Sequence, residues 1–264
     1  MKKHYAPDYF LDPQHQLSIL VVGAGGTGSH VLTGLARMNA TLIALDHPGL
    51  HVTVFDDDLV TEANIGRQLF SAADIGRYKA DVLIERINRH FGTDWVCMPK
   101  QWINGIGFNN VVITCVDNIA TRKKVNSIFR EVNENYTGDR KPYYWMDFGN
   151  ENNIGQVVMG GNNYKKEMIF LKRRNGGDTA GYPKENLIPT VSELFPDYLK
   201  QKDKKDIPSC SVAESIAKQD LFTNSILAQL GCNILWKLFR QGYIEHHGAF
   251  MNLETLTVKP IKIS

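Results

Sequence analysis

Five groups of residues in this 264-residue chain are suited to phosphate chemistry. The first is Gly23-Ala24-Gly25-Gly26-Thr27-Gly28, which follows the apolar run Ile19-Leu20-Val21-Val22. A glycine turn between a strand and a helix brings backbone N–H groups and the positive end of the helix dipole to one point, where a phosphate can sit. Glycine serves there because a Cβ would block both the tight turn and the close approach. Gly23, Gly25 and Gly28 satisfy the G-x-G-x-x-G of a dinucleotide dehydrogenase, and Gly26 makes it G-x-G-G-x-G. The turn by itself therefore leaves the nucleotide open.

The other four groups narrow the choice. Asp56 ends a β-rich run, where a carboxylate can accept hydrogen bonds from both ribose hydroxyls. Asp58 lies two residues further along an extended chain and faces the same side, whereas Asp57 between them reads as solvated. A turn of helix would set Asn64 and Arg67 on one face, next to Gln68, and arginine suits bidentate phosphate capture. Lys79 follows Ile75-Gly76-Arg77-Tyr78 at the start of a helix, as a point charge for a β- or γ-phosphate. Asp117, followed by Asn118, ends a strand and can hold magnesium bridging phosphates. Its alternative role is the N-cap of the next helix. Each of these residues alone is commonplace on a protein surface; their joint presence carries the reading.

The elements that must position them follow from periodicity. Val31, Leu32, Leu35 and Met38 recur at helical spacing after the glycine turn, and Val82, Leu83 and Ile87 do so within a helix over about 79–91. Val52-Thr53-Val54-Phe55 and the continuous run from Val111 to Val116 read as strands, the latter buried on both faces. A helix is predicted at about 121–132, and strands at Tyr143–Phe148 and Gln156–Met159. The alternation predicts an α/β fold: a doubly wound, Rossmann-like, mostly parallel sheet with helices on both faces. From about Gly161 to Pro208 the chain turns polar and charge-rich, which reads as a mobile crossover or a solvated insertion. Within it, Pro189 at a helix N1 position predicts a short helix. An apolar helix over about 221–239, broken by Asn224, Gln229, Asn233 and Lys237, precedes Gly242 as its C-terminal stop. A hairpin from Ala249–Asn252 to Thr257–Ile261 closes the chain.

Composition sets outer bounds. The chain is long enough for a full core, and 43% hydrophobic with 22% charged residues is ordinary for a globular protein. A formal charge of +2 gives no bulk electrostatic argument for nucleic acid or an anionic membrane as partner. No secretory signal or membrane span is expected. Cys97, Cys115, Cys210 and Cys232 lie far apart without a C-x-x-C pair, which fits a reducing cytoplasm better than a disulfide or zinc framework.

Gly23-x-Gly25-Gly26-x-Gly28-Ser29, Asp56-x-Asp58-x-Val60, Asn64-x-x-Arg67-Gln68, Ile75-Gly76-x-x-Lys79 and Asp117-Asn118 stand in the order and approximate spacing of one family. By these motifs the chain resembles the ThiF/MoeB/ubiquitin-activating-enzyme superfamily, and within it the ThiF-family proteins of bacterial PRTRC systems. The resemblance extends over Gly155-Gln156-Val157, Ser209-Cys210 and the closing hairpin, and leaves out only about 161–208. It implies one adenylation domain over residues 1–264. The implied activity is magnesium- and ATP-dependent adenylation of the C-terminal glycine carboxylate of a small ubiquitin-like, β-grasp protein, carried out by a homodimer. It further implies that Asp56 takes the ribose, that Asn64, Arg67 and Lys79 take the phosphates with Gln68 in support, and that Asp117 holds the magnesium. The glycines would line the floor beneath the nucleotide.

Cys210 stands where relatives carry a cysteine that in some of them forms a covalent intermediate, although no basic neighbour is evident to activate it. Two departures from the family pattern stand out. Its paired C-x-x-C zinc motifs are missing, and no arginine precedes Arg37 to be donated into a partner's site, leaving Lys2, Lys3 or His4 as substitutes. These departures keep open a non-catalytic scaffold that binds nucleotide and a partner protein. An NAD-dependent oxidoreductase accounts for the glycine turn but not for Asn64, Arg67 and Lys79.

Overall fold

A computed structural model describes residues 2–107, 109–135, 142–161, 188–200 and 219–263. The chain begins with β1 (His4–Tyr5), α1 (Asp8–Leu11), β2 (Leu17–Val22), α2 (Gly26–Ile43) and β3 (Leu50–Phe55). It continues through α3 (Lys79–Phe91), β4 (Val96–Met98), β5 (Val111–Thr114), α4 (Ile119–Asn135), β6 (Tyr144–Glu151) and β7 (Ile154–Gly161). A short α5 (Val191–Leu194) precedes the long α6 (Thr223–Gln241), then β8 (Tyr243–Ile244), β9 (His246–Asn252) and β10 (Thr257–Lys262).

Eight of these strands form one sheet in the order β10-β9-β7-β6-β5-β2-β3-β4. The run from β4 to β6 is parallel, and β7, β9 and β10 extend it as antiparallel strands. β3 lies on one side of β2 and β5 on the other, so the connections diverge between β2 and β5. Open α/β sheets bind ligands outside the carboxyl ends of the strands at such a point. The glycine turn leaves β2 there, and Asp117 lies just beyond β5.

Both faces of the central strands are buried, as their unbroken apolar runs require. Ile19 and Val21 of β2 join one core with α2, α3 and α6, while Leu20 and Val22 join a second with Val125 and Phe129 of α4. Small residues let α6 approach closely. A Cβ on Gly34 of α2 would lie 2.6 Å from the Cys232 sulfur, and one on Gly231 would lie 2.3 Å from the Phe148 ring. The apolar helix is thus core, and its left-handed stop at Gly242 (φ 71°) is where the sequence places it.

Two expectations change. Pro189 is not the first helical residue of α5: Thr190 is the N-cap and forms a capping box with Glu193, so Pro189 stands one position before the cap. The stretch 188–200 is docked at its start, while Glu193, Pro196, Asp197 and Lys200 are exposed. Ile188, Thr190 and Val191 are buried, the Gly161 N–H donates to the Ile188 carbonyl, and Gly160 abuts the Thr190 backbone. The remainder of the polar segment, 162–187 and 201–208, lies outside the described residues.

A buried ion pair fastens this docked stretch. Asp147 of β6 accepts from Arg122 Nε of α4 at 3.0 Å, with side chains 1% and 6% exposed. Thr114 also donates to Asp147, Arg122 Nη2 donates to the Phe148 carbonyl at 2.6 Å, and the Tyr198 hydroxyl reaches Asp147 at 3.5 Å. Arg122→Ala would leave the carboxylate buried and unpaired, and a loss of about 3–5 kcal/mol is expected. Urea unfolding followed by circular dichroism checks it, and Arg122→Met combined with Asp147→Leu should recover most of the loss.

Candidate nucleotide site

The glycine turn is built by contacts on every side but one. Gly23 has φ 97°, and a Cβ there would lie 2.6 Å from the Cys115 carbonyl oxygen at the end of β5. A Cβ on Gly28 would meet the Gly23 carbonyl at 2.0 Å, and one on Gly26 would meet the Asn224 amide at 2.5 Å. Three of the four glycines are therefore demanded by the protein's own packing. Gly25 alone has room for a Cβ, which would meet only Gln68 Oε1, at an ordinary contact distance of 3.9 Å.

Asp56 ties β3 to this turn. Its Oδ2 accepts the Ala24 N–H at 2.6 Å and its Oδ1 the Asp58 N–H at 3.0 Å. Burial raises the carboxyl's pKa, against the Ala24 N–H and the charge of Lys79. Lys79 Nζ pairs with Asp58 Oδ2 at 2.7 Å, the lysine side chain 8% exposed and the aspartate 66%. A buried ammonium thus stands behind an exposed carboxylate, with donors beyond the one this pair uses. Asp57 is exposed, as expected of the solvated member of the trio.

Asn64 and Arg67 do not share a turn of helix. Residues Glu62–Asn64 form a 3₁₀ turn in which Asn64 folds back, its Oδ1 accepting the Thr61 N–H at 2.9 Å. The chain is extended at Ile65, Gly66 has φ 86°, and Arg67 lies beyond this reversal. The His30 ring bonds the Arg67 backbone, and the Leu69 N–H donates to Ser29 Oγ, so 67–69 lie along the first turns of α2. Gln68 is buried, with its Oε1 unpartnered, and Arg67 Nε is buried and unpartnered too. Desolvation lowers the Arg67 pKa, with no opposing carboxylate among the described residues.

Asp117 is exposed, and it is Asn118 that caps α4, its Oδ1 accepting the Thr121 N–H at 2.8 Å. The capping alternative thus passes to the neighbour, and Asp117 remains available at the strand end. Among the described residues no group of three or more His, Cys, Asp or Glu side chains could hold a metal by itself. Magnesium typically takes one or two carboxylates plus substrate phosphates, and a lone Asp117 fits that habit.

Four polar residues at the turn escaped the motif reading. Asn224 Oδ1 accepts from Thr27 Oγ1 at 2.9 Å and from Asn150 Nδ2 at 2.7 Å, and its Nδ2 donates to Gln219 Oε1 at 2.7 Å. Gln219 Oε1 also accepts from Arg67 Nη1. The one hint was Asn224 itself, a polar interruption in an apolar helix.

Cys210 lies outside the described residues. Burial pushes the Cys115 thiol far up and the Cys232 thiol to about 12, which keeps both in the unreactive thiol form. Of the proposed arginine substitutes, Lys3 lies 3.8 Å from the Tyr243 ring centroid and His4 is buried, its Nε2 2.8 Å from the Tyr144 hydroxyl. Both are committed within this chain.

Comparison with known proteins places the chain among relatives. The chain is 30% identical over 130 residues to the sulfur carrier protein ThiS adenylyltransferase of Escherichia coli, covering 46% of this chain and 48% of that protein. It is 30% identical over 139 residues to the catalytic subunit of the NEDD8-activating enzyme of Arabidopsis thaliana, covering 49% and 29%. The matched region thus spans less than half the length of these relatives. Among solved structures, E. coli MccB with ATP superposes with a TM-score of 0.54 at 14% identity, covering 97% of this chain and 65% of that one. PaaA superposes with a TM-score of 0.58 at 15% identity, covering 94% and 64%. These two establish a shared fold. The ThiF family matches residues 8–260, and with its glycine turn, cations and strand-end carboxylates in place, the chain belongs to the ThiF family.

Proposed function

We propose that this protein is an ATP-dependent adenylyltransferase that activates the C-terminal glycine carboxylate of a small ubiquitin-like protein. The observation that carries it is the pair of cations beside the N-terminus of α2. Buried Lys79 reaches the turn through Asp58 and Asp56, and Arg67, bonded to Gln219, has no carboxylate partner among the described residues. A polyphosphate supplies the anionic partner that Arg67 lacks among the described residues, and a hydride path has no use for it.

In the proposed reaction the substrate carboxylate oxygen attacks the α-phosphorus. The bond to the pyrophosphate oxygen breaks, leaving an acyl adenylate and pyrophosphate. The protein's part is positioning and charge stabilisation. Asp56 would hold the ribose, Arg67 and Lys79 the phosphates, and Gly25 the face closest to the nucleotide, with Gln68 beside it. Asn64 would contribute through its amide N–H groups, its oxygen being engaged by Thr61. Asp117 would hold magnesium against the phosphates. The names of the relatives support adenylation, and ThiS, NEDD8 and MccA in their names point to a small protein or peptide as substrate. A single adenylation domain over the whole chain, a homodimeric state, a cytoplasmic location and a role for Cys210 in acyl transfer belong to the same proposal. Among the described residues no helix is long and apolar enough to cross a membrane.

The first test is pyrophosphate exchange. Labelled pyrophosphate should enter ATP when a β-grasp protein ending in glycine is added, and Lys79→Ala or Asp117→Ala should reduce the rate at least a hundredfold. Unchanged exchange in both variants would remove the assignment. Absence of exchange with every such protein, alongside retained ATP binding, would favour the nucleotide-binding scaffold. Calorimetry supplies a second test: the protein should bind magnesium–ATP and show no heat with NAD, and the reverse pattern would restore the oxidoreductase reading.

A further inference from the structure

We infer that Gln219 is a positioning residue that holds Arg67 for an anionic ligand, through an uncharged amide chain built on Asn224, and that its neutrality leaves the arginine's charge to that ligand. This rests on the reading of the turn as a polyphosphate site. It adds residues that none of the family motifs contains.

Arg67 is half-buried, and its Nη1 donates to Gln219 Oε1. The same oxygen accepts from Asn224 Nδ2 at 2.7 Å, so Gln219 is itself held in place. Asn224 is 1% exposed and its Oδ1 is fixed by Thr27 and Asn150. The chain therefore runs from α2 and the end of β6, through α6, to the guanidinium without a formal charge on any partner. A carboxylate at position 219 would satisfy the same geometry and give Arg67 a counter-ion. With glutamine there, the guanidinium is oriented but not neutralised.

A second, independent observation points to a ligand. Gln68, 6% exposed, has a side-chain oxygen with no partner among the described residues, 3.9 Å from the Cβ position of Gly25, the one glycine of the turn with room for a Cβ. Arg67 Nε is likewise buried and unpartnered. Buried polar atoms without partners are rare in folded proteins, and two adjacent residues that carry them at a helix N-terminus mark a place where a polar ligand docks. Gln68 at this spot can present its N–H2 to the ligand by rotation of the amide.

The test is a change of charge without a change of shape. Gln219→Glu in the full chain is expected to weaken magnesium–ATP binding at least tenfold by calorimetry, while adenosine, measured by competition, loses less than twofold. Gln219→Met, neutral and similar in size, is expected to cost several-fold less than Gln219→Glu. On an Arg67→Ala background, Gln219→Glu should add no further loss, because the charge it neutralises is gone. Equal losses for ATP and adenosine, equal losses for the Glu and Met variants, or additive losses with Arg67→Ala would each overturn the inference and reduce Gln219 to packing. Tripolyphosphate alone separates this inference from adenylation. If the protein binds tripolyphosphate in a Gln219-sensitive way but does not bind ATP, the adenylation reading falls and the positioning role stands.

Discussion

The side chain of Asn224 occupies the space that a Cβ on Gly26 would fill, and much of the molecule is organised around that substitution of one residue's atoms for another's. Its oxygen gathers Thr27 from the start of α2 and Asn150 from the end of β6, and its nitrogen holds Gln219. Three segments far apart in the chain, around residues 27, 150 and 219–224, are thereby locked around one glycine turn. Because the side chain is almost fully buried, each of its bonds forms in a low dielectric, where an unmatched donor or acceptor would be costly. Satisfying them is what gives the turn one conformation.

The sheet supplies the coarse placement on which this lock acts. Divergence of the connections between β2 and β5 opens a crevice at the carboxyl ends of the strands, and the glycine turn and Asp117 come to it from adjacent strands. Asp56 closes the other side by accepting the Ala24 N–H. Lys79 then faces the turn from the start of α3, and Arg67 faces it from a reversed loop. The buried Arg122–Asp147 pair works at a distance from these groups, joining α4, β6 and the docked residues 188–200. Asn118 and Asn150 lie within four residues of that pair in sequence and make their own bonds to Thr121 and to Asn224.

Much of the fold was legible because its elements obey simple periodicities. Unbroken apolar runs at Ile19–Val22 and Val111–Thr114 require burial on both faces, which a parallel sheet with helices on either side provides. Gly242 stopped α6 where a left-handed residue was needed. Errors arose where a side chain competed with the backbone. Asn64 looked like a helix-face residue but caps its own 3₁₀ turn, and Thr190 took the capping position that would have made Pro189 the first helical residue. The segment from 161 to 208 read as polar and charge-rich with one short helix, and Ile188 and Val191 around that helix are buried beside β7.

The sequence by itself determined which residue types suited to phosphate stand at the glycine turn and the strand ends. Residue types and spacings within one strand–turn–helix unit, and at the ends of successive strands, are local properties that the chain cannot rearrange without losing its elements. Tertiary structure alone decided which glycines serve packing and which has room for a Cβ, which oxygen holds Arg67, and that Asp117 is released from capping by Asn118. The packing of Gly26 and the hold on Arg67 depend on residues 27, 150, 219 and 224 meeting at one point. No periodicity links such positions, because their contact is created by the crossing of α6 over α2 and the edge of β6.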